Sequence, residues 1–65
     1  MKLYTTNCPK CKVIEQKLEV KGLNYIKVED IEEMKKLNIL SVPVLEIDGC
    51  FYDFVNAVKY INEEL

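Results

Sequence analysis

The chain has 65 residues with nine basic and eleven acidic side chains, a net charge of -2, which makes it a single domain that buries only about 60% of the surface its unfolded form exposes. Mild acidity without any basic stripe excludes a nucleic-acid partner, and the absence of an apolar leader or of a run of about 18 apolar residues sets aside export and membrane insertion. Three cysteines, an odd count, argue against a secreted disulfide framework and for a reducing cytoplasm as the natural compartment.

No linker, repeat or composition shift divides residues 1–65, so they are read as one domain of short elements. KLYT, Lys2 to Thr5, is a short strand rich in strand formers. From CPKC onward the spacing changes: Cys11, Ile14 and Leu18 fall at i, i+3 and i+7, one face of a helix. Pro9 suits its first position and Gly22 its stop. Asn24 to Glu29 alternates again and predicts a second strand. Asp30 is the N-cap candidate for a helix over IEEMKKLN, whose inward face is expected to carry Ile31, Met34 and Leu37. SVPVLEIDGCFYD reads as a hairpin, with VLEI and CFY joined by an Asp48-Gly49 turn of the type I′ kind. A last helix from about Asp53 places Phe54, Val58, Ile61 and Leu65 on one face. The order is βαβαββα, an α/β chain expected to act as a monomer.

The pair in YTTNCPKCK carries the chemistry. With Pro9 as the first helical residue, Cys8 stands at the N-cap, exposed, and Cys11 lies one turn inward on the side of Ile14 and Leu18. Residues three apart on a helix have Cβ atoms about 5–6 Å apart, and a disulfide needs about 3.8 Å, so a small adjustment closes the bond. The unpaired N–H groups of a helix N-terminus favour a thiolate at Cys8, and Lys10 and Lys12 add charge of the same sign. A structural staple fits poorly, because closing so short a loop is worth about 2 kcal/mol against about 4 for bridging Cys8 to Cys50. A zinc site wants four Cys or His ligands and the sequence offers three Cys and no His. A metal or iron–sulfur module built on Cys8 and Cys11, perforce shared between chains or completed by carboxylates, is the alternative class. In a redox pair, the N-terminal position of Cys8 makes it the attacking nucleophile and Cys11 the resolving thiol. Cys50 is expected as a small packed or edge thiol, about 13 Å of strand away from Pro43 and out of reach of Cys8.

YTTNCPKCK followed later by SVPVLEIDG resembles the glutaredoxin-like branch of the thioredoxin fold, over essentially the whole chain. The resemblance implies a central four-stranded mixed sheet flanked by three helices. It also implies a cis Val42-Pro43 bond facing the cysteines, with the Val42 backbone free to pair with an extended substrate segment. The implied activity is that of a thiol–disulfide oxidoreductase, a dithiol redoxin that reduces disulfide-containing substrate proteins. It would work through a redox-active Cys8–Cys11 disulfide and hold no bound cofactor. Three positions depart from the family pattern. Lys10 stands where an aromatic residue is common, Thr6 is the nearest counterpart of a Lys or Arg after the first strand, and CFYDF replaces a Gly-Gly turn with its acidic residue. Asp53 is then the one acidic partner left for glutathione. The substrate-binding set implied is Val42, Pro43, Lys10, Lys12 and Asp53, with glutathione or a thioredoxin-reductase-type flavoenzyme as electron donor.

Overall fold

A computed structural model describes all 65 residues. Its first strand, β1 (Lys2–Tyr4), has a neighbour on each side. One is β2 (Ile26–Val28), parallel to it and reached through helix α1 (Pro9–Val20). The other is β3 (Val44–Ile47), antiparallel and reached through the short helix α2 (Ile31–Lys36). A hairpin adds β4 (Cys50–Tyr52), and helix α3 (Phe54–Glu63) closes the chain. The four-stranded mixed sheet has the order β2-β1-β3-β4.

Local chemistry explains most boundaries. Pro9 opens α1 because its fixed φ is pre-organised for a helix and its missing N–H is not needed there. The helix stops at Gly22, whose φ of 68° lets its own N–H reach the Glu19 carbonyl and that of Leu23 reach the Leu18 carbonyl. That pair of bonds is a Schellman ending. Asn38, at φ 59°, ends α2 by the same pattern, through Lys35 and Met34. Asp48 and Gly49 both have positive φ, 50° and 86°, as a type I′ turn requires.

The core forms where α1 and α3 pack together on one face of the sheet. Leu3 and Leu45 from the sheet meet Ile14 and Leu18 from α1 and Ala57 and Ile61 from α3, all closed to solvent. Each of the Leu and Ile side chains contributes about 1.5–3 kcal/mol by leaving water. Tyr4, the next residue in β1, points to the opposite face, and its ring lies 6.3 Å from that of Phe51.

Several expectations need correction. The second strand is three residues, not six, because it pairs only along the three residues of β1. The predicted inward face of α2 shrinks to Met34: Ile31 and Leu37 are 50% and 42% exposed. A six-residue helix turns fewer than two times, and Met34 stands outside the main cluster. Leu65 lies beyond the end of α3 and is exposed, while Ala57 fills the inner face instead. Cys50 is on an edge strand but is not packed; as the first residue after the turn it is exposed.

Candidate active site

The turn between β1 and α1 brings the two cysteines together. Cys8 is the N-cap, with extended backbone (φ -74°, ψ 165°), and its Sγ accepts a hydrogen bond from the Cys11 N–H at 3.3 Å. Its carbonyl takes the first helical bond, from the Lys12 N–H at 3.0 Å. The two sulfurs are 2.7 Å apart as free thiols. Cys8 is partly open to solvent and Cys11 is fully closed, so only Cys8 can be met by a large partner.

At that separation each sulfur is the hydrogen-bond partner of the other. Burial works to raise the Cys11 thiol. Hydrogen bonds from the Cys8 side chain, the Thr5 side chain and the backbone of Thr6 and Cys8 outweigh it, and the thiol sits below its ordinary value. The stabilising contacts around the inner sulfur were not legible in the sequence, where the helix N-terminus pointed to Cys8 alone.

What leads into Cys8 is held from two sides. Asn7 adopts φ 62°, a conformation that Asn tolerates better than most residues. Its N–H donates to Thr5 Oγ1 at 3.0 Å, and its side-chain amide donates to Glu29 Oε2 at 2.9 Å. Thr5, Asn7 and Glu29 escaped the sequence reading; the Thr-Thr-Asn run before an N-cap was the available signal, since such residues bond their own backbone at turns.

The Val42-Pro43 bond is cis, as the resemblance implied. Register places it at the cysteine end of the sheet. Tyr4, the last residue of β1, pairs with Val44, the first of β3, so Val42 and Pro43 enter the sheet at the end from which Thr5 leads to the cysteines. Pro43 is buried, Val42 is half-buried, and Val42 makes no backbone–backbone hydrogen bond. Thr6 and Val42 line one open groove of about 330 Å³ with Ile31, Met34, Ile39 and Leu40. A second groove of about 300 Å³ lies on the other side of Leu40 and Ser41 and reaches Val44 and Asp53.

The charged candidates are scattered around this end. Lys10 extends its ammonium to 5.5 Å from the centre of the Phe54 ring, which ties the first turn of α1 to that of α3. Lys12 is exposed on the next position but one. Asp53 caps α3, its Oδ1 accepting from the Asn56 N–H at 2.9 Å. No three Cys, His, Asp or Glu side chains gather as a metal-binding group, and no helix is long and apolar enough to cross a membrane.

Set against protein-family models, curated proteins and solved structures, the chain matches none of them. The chemistry of the site therefore rests on its own geometry: one accessible sulfur at a helix N-terminus, and a second, buried sulfur in contact with it.

Proposed function

We propose that this chain is a dithiol redoxin, a thiol–disulfide oxidoreductase with a thioredoxin-like fold of the glutaredoxin-like branch. The carrying observation is the Cys8–Cys11 pair, 2.7 Å between sulfurs, with one member reachable and the other shut in. Cys8 thiolate attacks a sulfur of a substrate disulfide, forming a mixed disulfide and expelling the first substrate sulfur, which takes the Cys11 proton. Cys11 thiolate then attacks Cys8 Sγ, forming the Cys8–Cys11 disulfide and expelling the second substrate sulfur, which takes a proton from water. The substrate gains two electrons and becomes a dithiol, and the pair loses two.

The unbonded backbone of Val42 supports strand-like pairing with an extended substrate segment beside the cysteines. Lys10, Lys12 and Asp53 would then meet the partner as a charged rim. Glutathione or a thioredoxin-reductase-type flavoenzyme recharges the disulfide, in a reducing compartment such as the cytoplasm.

The test is reduction of a protein disulfide with each donor in turn, glutathione with its reductase or thioredoxin reductase. Turnover with one of them is expected. Cys8→Ser should abolish it, and Cys11→Ser should accumulate a mixed disulfide on Cys8, seen as an added mass. An inert protein that instead purifies anaerobically with stoichiometric metal would overturn the reading in favour of a metal-binding module.

A further inference from the structure

Asn7 stands directly before Cys8 with a backbone φ of 62°, a conformation in which glycine would sit more freely. Asparagine tolerates it and brings a side-chain amide to the position. That amide reaches 22 residues along the chain, donating to Glu29 Oε2 at 2.9 Å. Glu29 follows Val28, the last residue of β2, whose carbonyl accepts the Thr5 N–H at 3.0 Å. The end of β2 therefore holds the turn twice, by backbone at Thr5 and by side chain at Asn7. Glu29 is itself steadied from behind: its Oε1 lies 3.9 Å from Lys27 Nζ, and Lys27 is paired with Glu15 of α1 at 3.0 Å.

Of the two sulfurs, Cys11 is fixed on the buried face of α1, whereas Cys8 stands at the helix end, on this turn. An attack within one molecule depends on how closely the reacting atoms are held, and a misplacement of about 1 Å can cost on the order of a hundredfold. We propose that Glu29 is a positioning residue for the second step of exchange: by holding the Asn7 amide it keeps the Cys8 turn set against α1, so that Cys11 Sγ meets Cys8 Sγ once a mixed disulfide has formed there. The inference rests on Cys8 and Cys11 being an exchange pair. The first step is an encounter with a partner from outside and needs only that Cys8 be exposed. The second needs the two sulfurs in line, and the tie from Asn7 to Glu29 acts on that step.

An aromatic disulfide such as Ellman's reagent separates the steps, releasing one coloured thiolate when Cys8 attacks and a second when Cys11 displaces it from Cys8. In each step one S–S bond breaks as another forms, and over both the reagent gains the two electrons that the cysteine pair loses. The first phase scales with reagent concentration and the second does not. Because Cys50 is exposed and would react too, the experiment uses the full chain carrying Cys50→Ser. Two release phases are expected from this parent. Glu29 is exposed, so Glu29→Ala spares the core; it should slow the second phase about fivefold, the worth of one hydrogen bond, and leave the first within about twofold. Glu29→Gln loses the charge but keeps an acceptor oxygen, and should restore the second phase. In an Asn7→Gly background, where no amide remains to be held, Glu29→Ala should slow nothing further. Equal slowing of both phases, an unchanged second phase, failure of Gln to restore it, or the same loss again in the Asn7→Gly background would overturn the role given to Glu29. Release of a single equivalent by the parent would instead sink the exchange pair itself, and this proposal with it.

Discussion

Lys10 shows how much one side chain between two cysteines can be asked to do. Its ammonium rests over Phe54, so its charge is held in place, and the contact is worth about 0.5–1 kcal/mol at an exposed site. Lys10→Met should lower stability by about that amount in urea titrations. Lys10→Glu reverses a charge two residues from Cys8. Alkylation of Cys8 by neutral iodoacetamide should slow at low salt, and the difference should fade as the screening length falls from about 10 Å at 0.1 M to about 3 Å at 1 M. Equal rates at low salt would leave Lys10 as a partner of Phe54 with no hold on Cys8. The positions of Cys8, Pro9 and Cys11 were legible because an N-cap, a proline at the first helical position and an i, i+3 spacing are local signals. Thr5 was not, because a threonine at a strand end looks the same whether its hydroxyl faces water or takes the Asn7 N–H.

At the scale of elements, the sequence spoke clearly where a local rule decides and poorly where packing does. The face of α1 built on Cys11, Ile14 and Leu18 is buried as expected, and the Asp48-Gly49 turn has the backbone its residues favour. In α2 the same three-residue recurrence misled, because periodicity cannot say whether anything lies opposite to receive the side chains. α3 offers a separate test. Asp53 is both its cap and the sole acidic candidate for substrate contact, and two substitutions divide those roles. Asp53→Ala should cost about 1 kcal/mol, since the Asn56 N–H loses its acceptor. Asp53→Asn keeps an acceptor oxygen and should keep the stability, so any loss of disulfide reduction in this variant would report the missing charge alone. Full turnover in Asp53→Asn would reduce Asp53 to a cap.

For the whole molecule, three raised groups set the response to alkali. Lys27 is held above its ordinary value first by its hydrogen bond to Glu15, at 3.0 Å. Tyr25 is raised by burial and then by Glu15 and Glu19, and Tyr52 by burial and then by Cys50. Each keeps its proton longer in the folded chain than in the unfolded one. Their contribution is complete at neutral pH and is lost as pH rises past about 10 through the folded values. Cys11, displaced downward, has the opposite sign, and its contribution is already complete above about 8.5. The urea midpoint should therefore fall as pH rises past about 10, and less steeply in Tyr25→Phe; parallel curves for the two proteins would remove Tyr25 from the account. A different consequence follows from the sheet order. β1 is bonded to a strand from each half of the chain, to β2 before α2 and to β3 after it. Neither half therefore owns a sheet: cut between α2 and β3, one fragment would keep a single parallel pair and the other a bare hairpin. The turn that carries Cys8 hangs from the end of that shared strand, so loss of β1 would cost the molecule its architecture and the placement of both sulfurs in one event.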